Sequence, residues 1–226
     1  MSGTGPRIAS RDEWLRERIE LLAAEKELSA KRDELAQARR DLPWVRVEQD
    51  YRFDTTDGER SLGDLFEGRT QLVVHHFMFG PDWDEGCPSC SFWADNYSGI
   101  TLHLAHRDTT LIAVSRAPLA TLQRYRERMG WTFNWVSSLG STFNHDYGVS
   151  QADTYNYAPL DQPMDESPGL SAFIRHDGQI FHTYSCYARG LDVFNTAYQI
   201  LDVTPKGRDE QSLPWTMAWL RRHDQY

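Results

Sequence analysis

The stretch from Gln71 to Asp95, QLVVHHFMFGPDWDEGCPSCSFWAD, constrains this chain more than any other. Leu72, Val73 and Val74 form a short β-branched run that reads as a buried strand, continuing through His75, His76, Phe77, Met78 and Phe79 before Gly80-Pro81 breaks it. An acidic loop follows, then Gly86-Cys87-Pro88-Ser89-Cys90, then residues able to start a helix. A C-x-x-C between a buried strand and a helix N-terminus has a direct chemical use. The first thiol sits where unpaired N–H groups and the positive end of the helix stabilise a thiolate. The second lies one turn on, within reach of a mixed disulfide on the first. Pro88 suits the first helical turn, where its missing N–H costs nothing.

Bulk properties narrow the function classes. A chain of 226 residues with 40% hydrophobic content can bury one full core and carry an appendage. No run is long enough for a membrane span, and MSGTGPRIAS lacks a secretory apolar segment, so the expectation is a cytoplasmic protein without membrane partners. A formal charge of −9 argues against nucleic acid as a partner. Three cysteines are too few for a disulfide scaffold; in a reducing compartment a C-x-x-C serves redox chemistry or metal binding.

Along the chain, Ser10 to Leu42 is predicted as one long helix, with Ser10 and Glu13 as a capping box and Pro43 as its stop. Trp14, Leu21, Leu28, Leu35 and Leu42 recur at sevens, but Glu17 and Lys31 interrupt the companion seam. The narrow stripe fits an arm docked on its own domain, or else a homodimer contact. The expected division is an arm at 1–43 and a domain at 44–226. Val45–Phe53 is predicted as a strand, Ser61–Phe66 as a helical turn, the segment after the C-x-x-C as a helix to about His106, Thr109–Ser115 as a second buried strand, Pro118–Met129 as a helix and Thr132–Val136 as a third strand. This order implies a parallel sheet with right-handed crossovers. Residues 151–169 read as a long irregular loop with tyrosines, Ser171–Arg175 and Gln179–Tyr184 as a hairpin about Asp177-Gly178, Leu191–Val203 as a helix, and the Trp215–Leu220 region as a last short helix.

With that order in hand, the wording HFMFGPDW (His76–Trp83), GCPSCSFWAD (Gly86–Asp95), LPW (Leu42–Trp44) and YARGLD (Tyr187–Asp192) resembles the DUF899 family, bacterial proteins of the thioredoxin superfamily described as dithiol–disulfide oxidoreductases. The resemblance runs over nearly the whole chain. It implies an α/β, thioredoxin-like fold with a peroxiredoxin-like layout and an added long N-terminal helix. The layout is similar to the peroxiredoxin branch in Cys87-Pro88 and in FNHDYGV (Phe143–Val149), but Asp84 stands where that branch has a threonine to orient peroxide. An ionised carboxylate cannot donate there and raises the thiol pKa, which argues against simple peroxidase chemistry. Thioredoxin's proline before the first hairpin strand would fall near Leu170-Ser171; Pro168 lies a little early.

The resulting assignment is a thiol–disulfide oxidoreductase in which Cys87 attacks and Cys90 resolves, with no cofactor. Its partners are a cellular thiol reductant and a small-molecule or protein thiol substrate. The alternative is a copper- or zinc-binding protein, carrier or oxidase, in which Cys87 and Cys90 share the ion with His76 or His182; Asp82, Asp84 and Glu85 would favour a cation nearby. His75 and His76 point to opposite faces of their strand, so only one of them can approach the cysteines. His145, Cys186 and Arg189 read as ordinary packing or surface residues.

Overall fold

The computed structural model describes residues 6–226; the leading MSGTG, part of the segment without a secretory apolar stretch, lies outside them. The chain divides into two compact units, one ending at Pro43 and the other spanning Trp44–Tyr226. The first is built on α1 (Arg11–Arg40), with Ser10 as its N-cap accepting from the Glu13 N–H at 3.2 Å and none of its residues buried. Among the described residues no helix is long and apolar enough to cross a membrane.

The second unit is a thioredoxin-like α/β fold. Its strands are β1 (Val45–Arg46), β2 (Arg52–Thr55), β3 (Gly58–Ser61), β4 (Gln71–His76), β5 (Thr109–Ser115), β6 (Asn134–Ser137), β9 (Gly169–His176) and β10 (Gln179–Tyr187), in the spatial order β1-β10-β9-β4-β5-β6-β2-β3. A separate small hairpin, β7 (Thr154–Tyr155) with β8 (Ala158–Pro159), lies in the long loop. The helices are α2 (Pro88–Ala94), α3 (Thr101–Ala105), α4 (Leu119–Arg128), α5 (Phe143–Asp146) and α6 (Thr196–Leu201). Strand β4 is central: parallel to β5 on one side, antiparallel to the β9–β10 hairpin on the other. Asp177 and Gly178 both take positive φ, 48° and 75°, as a tight hairpin turn requires.

Several elements depart from the expectations. The Val45–Phe53 strand is two pieces, β1 pairing with β10 and β2 pairing with β3; the β2–β3 hairpin about Thr56-Asp57 takes in Ser61, and the helical turn expected from there is the single 3₁₀ turn Asp64–Phe66. The helix after the C-x-x-C stops at Ala94 and resumes at Thr101. Polar side chains in the gap bind elsewhere: Asp95 accepts from Trp131 Nε1 at 2.8 Å, and Ser98 Oγ accepts from the Thr132 N–H at 3.0 Å. Leu191–Val203 is a 3₁₀ turn (Ala188–Phe194) followed by α6. The tail is turns rather than a helix until His223–Gln225. One carboxylate, Glu210, collects Trp219 Nε1 (2.7 Å), the Met217 N–H (3.0 Å) and Tyr198 Oη (3.1 Å), which supplants a helical ladder.

The sheet separates two cores because strand side chains alternate. Leu72, Val74 and Phe173 enter one cluster with Phe53, Ile112, Val136 and Phe143. Phe77, Leu111, Ala113, Leu170 and Cys186 enter the other, with Cys90, Trp93, Tyr125 and Trp135. The C-x-x-C therefore belongs to one face of β4.

Candidate active site

Cys87 is the N-cap of α2, with Pro88 in its first turn. Backbone bonds fix it to the end of the strand connection: the Cys87 N–H donates to Met78 O at 3.1 Å, and the Met78 N–H donates to Cys90 Sγ at 3.4 Å. Cys87 is partly exposed and Cys90 buried, both as free thiols. The two sulfurs differ in charge preference. A hydrogen bond from Cys90 lowers the Cys87 thiol to about 6; burial opposes this, and the N–H groups of Cys90 and Ser89 with the Ser89 hydroxyl assist. Burial drives Cys90 the other way, well above a normal thiol, and the neighbouring Cys87 and the charge on Glu166 add to the effect.

The loop carrying Cys87 is braced from below and from the C-terminal segment. Gly86 packs so tightly that an added Cβ would lie 2.8 Å from Phe77 and 3.0 Å from Tyr125. Gly86→Ala is thus expected to cost about 1–3 kcal/mol by overpacking, measured by urea unfolding; an unchanged midpoint would show that the loop yields freely. Ser91 Oγ donates to Cys87 O at 2.9 Å and is bonded to Tyr125 Oη at 2.9 Å. Arg222 donates to Gly86 O through Nη2 (2.8 Å) and Nε (3.1 Å), and to Tyr125 Oη at 3.0 Å. Its Nη1 lies 2.8 Å from Glu85, which is also bonded by Arg128. The acidic loop is therefore less hostile to a thiolate than its sequence implies: Glu85 is held by two guanidiniums.

The long loop lies on the same end of the sheet. Register places Gly169 opposite His76, so Pro168, the residue before β9, sits beside the end of β4 from which the C-x-x-C loop departs. The hairpin strand begins two residues earlier than expected, which moves Pro168 to its entrance; all peptide bonds among the described residues are trans. Glu166 is buried and paired with Arg116 at 2.7 Å, and Arg116 also donates to Asp165 O at 3.1 Å. Tyr155 Oη donates to Pro168 O (2.9 Å) and accepts from the Ala188 N–H (3.0 Å), while Tyr157 Oη donates to Ser185 O (2.8 Å).

The metal ligand set is not assembled. His76 Nε2 is 2.8 Å from Ser171 Oγ, Ser171 Oγ is 2.7 Å from Ser185 Oγ, and Ser185 Oγ is 2.7 Å from His182 Nε2. His76 packs on Phe143 and Tyr147, and His182 on Tyr147 and Phe173. Both histidines thus lie on the face of the sheet opposite Cys87 and Cys90. The β4 alternation instead turns His75 toward the cysteine face, against Phe77 and Tyr97. Among the described residues no group of three or more His, Cys, Asp or Glu side chains is placed to share a metal ion. Cys186 lies on the cysteine face, in register with Leu170 and so with His75. His145 and Arg189 are exposed. Arg222, Tyr125, Arg116 and Glu166 escaped the sequence reading because none stands in a motif, and Ser91 because nothing in GCPSCSFWAD sets it apart from its neighbours.

No curated protein matches this chain. Among solved structures it is similar to the peroxidoxin BcpB from Mycobacterium tuberculosis, at 14% identity and TM-score 0.47 over 66% of this chain and 85% of that one. It is similar also to peroxiredoxin Q from Xanthomonas campestris, at 10% identity and TM-score 0.47 over 71% of this chain and 98% of that one. Peroxiredoxin 6 of Arenicola marina, in a cysteine-to-serine mutant form, is 14% identical with TM-score 0.46 over 69% of this chain and 73% of that one. The family whose pattern fits the sequence is described as "Bacterial protein of unknown function (DUF899)", and the match runs over residues 3–226. Spanning almost the full length, it makes this chain a member of the DUF899 family.

Proposed function

We propose that this protein is a thiol–disulfide oxidoreductase with Cys87 as nucleophile and Cys90 as resolving thiol. The observation that supports it is the asymmetry of the pair: the accessible sulfur has its thiol lowered to about 6, and the buried one is raised. A thiolate fraction near neutrality makes Cys87 the attacking group. It forms a bond to one sulfur of a substrate disulfide, and the other sulfur leaves as a thiolate. Cys90 then attacks Cys87 Sγ, its proton passing to the departing substrate thiolate. The substrate leaves as two thiols and the protein holds a Cys87–Cys90 disulfide, which a cellular thiol reduces. The reverse sequence oxidises a dithiol. Cys90 stays protonated until Cys87 is consumed, so the two sulfurs do not compete for the first attack.

The test is alkylation of Cys87 by iodoacetamide as a function of pH, with the modified residue identified by mass. Because the folded thiol is lowered, reactivity is expected to be high at pH 7 and to fall as pH drops through about 6. A normal thiol would still be gaining reactivity up to about pH 8.5. A Cys87 profile centred there would remove the basis of the assignment.

A further inference from the structure

We propose that Arg222 is a positioning residue for Cys87, holding the Gly86 carbonyl and neutralising Glu85 so that the thiolate is presented in one geometry. The inference rests on the redox assignment of Cys87 and extends it to a segment far away in sequence. Arg222 lies in the C-terminal stretch, where Leu220 is buried and His223–Gln225 forms a single 3₁₀ turn. That stretch is tied down around the Cys87 loop at three places. Arg222 forks onto Gly86 O and Tyr125 Oη. Asp224 pairs with Arg128 at 2.6 Å. His223 Nδ1 bonds Asp95 at 2.6 Å, beside the end of α2.

The fork does two things. First, it gives the carbonyl of buried Gly86 a charged donor, so the peptide leading into Cys87 cannot rotate without losing a charge-assisted bond. The same guanidinium donates to Tyr125 Oη, which leaves the Tyr125 hydroxyl proton for Ser91 Oγ and the Ser91 proton for Cys87 O. A directed chain therefore runs from Arg222 to the backbone of Cys87 itself. Second, Arg222 and Arg128 together cancel Glu85, a carboxylate two residues before the thiol that would otherwise oppose its ionisation. The charged and titratable groups around Cys87 are thus Asp82, Asp84 and Glu85 on its own loop, Cys90 on α2, Tyr125 and Arg128 on α4, Arg222 and Asp224 on the C-terminal segment, and Glu166 acting on Cys90.

The experiment uses the full chain and follows iodoacetamide alkylation of Cys87 against pH in the wild type, Arg222→Gln, Glu85→Gln and the double variant. Arg222→Gln is expected to move the Cys87 profile upward by about one pH unit, roughly a five-fold slower reaction at pH 6. In the Glu85→Gln background the same substitution is expected to move it much less, because the carboxylate it unmasks is gone. A Cys87 profile unchanged by Arg222→Gln, with the wild type reactive near neutrality, overturns the positioning role and leaves the redox assignment standing. A wild type that behaves as an ordinary thiol overturns both. Equal shifts with and without Glu85 also overturn the proposal, since the carboxylate would then play no part. Should Arg222→Gln fail to fold, Arg222→Lys decides: it keeps the charge but cannot fork onto Gly86 O and Tyr125 Oη together. A raised profile with an unchanged melting curve supports positioning, and an unchanged profile overturns it.

Discussion

A Cys90→Ser variant is expected to accumulate a stable mixed disulfide on Cys87 when mixed with glutathione disulfide, and Cys87→Ser is expected to lose activity by roughly 10³-fold or more. The reason lies in the unequal placement of the sulfurs. On the proposed roles Cys87, the partly exposed sulfur, opens the substrate disulfide, and the serine hydroxyl placed at position 90 can still donate to its thiolate. Release of the adduct needs a second sulfur inside the protein, and Cys90, bonded by the Met78 N–H, is the one a turn away. With serine at that place nothing can displace the adduct except added thiol. Intact-mass measurement followed by peptide mapping reads the result. An adduct on Cys186, or none at all, would sink the assignment of roles, because Cys186 lies buried on β10 and plays no part in the proposed exchange.

Arg116→Ala is expected to destabilise the fold by about 3 kcal/mol at pH 7–8, the lower end of the range for breaking a buried ion pair, because the Arg116 side chain keeps 20% of its exposure while that of Glu166 keeps 2%. The variant leaves the carboxyl without its guanidinium and unlatches the loop that ends at Pro168. The pH dependence has a definite sign. Burial already raises Glu166 above the usual carboxylate range, and Arg116 opposes the rise. Without Arg116 it rises further. A group whose folded pKa is raised contributes stability that is fully present below its unfolded value, about 4.3 for Glu, and lost as pH increases through the folded value. The deficit of the variant should therefore shrink as pH falls from 8 towards 5. Urea unfolding at the two ends measures this, and an equal deficit at both would show that the charge on Glu166 is not the cause.

The parts of the fold that could be read from the sequence are those with a local cause. Leu72-Val73-Val74 and TTLIAVS are short apolar runs rich in β-branched residues, the length and composition of a buried strand, and they are β4 and β5. Asp177-Gly178 set the hairpin, and Ser10 with Glu13 set the start of α1. The break between α2 and α3 was hidden because it depends on partners distant in sequence: Asp95 is occupied by Trp131 and His223, and Ser98 by the Thr132 backbone. In the site, Cys87 and Cys90 were legible from spacing, and the choice of His76 and His182 as ligands was not. Alternation alone says that His75 and His76 diverge, but the direction of α2 from β4 decides which of them faces the cysteines. Arg222 and Glu166 carry no periodic or motif signal, since their importance comes from tertiary pairing across 136 and 50 residues respectively.

The two histidines on the far face end a chain whose hydrogens can be counted. Three bonds link His76, Ser171, Ser185 and His182, and the two hydroxyls supply one hydrogen each, so one imidazole must supply the third. The third hydrogen comes from whichever of His76 and His182 carries its proton on Nε2. If His76 is that donor, the hydrogens all point one way: from His76 Nε2 to Ser171, to Ser185, to His182. His76 Nδ1, buried and without a partner, is then left as a lone pair, the less costly orphan. Adding a proton there would create a buried donor with nothing to receive it, in keeping with a His76 pKa pushed down to about 3 by burial and by the neighbouring histidines. The chain is thus a cross-tie between three strands, with His76 neutral through the physiological range. It ties the back of the sheet together with hydrogen bonds alone.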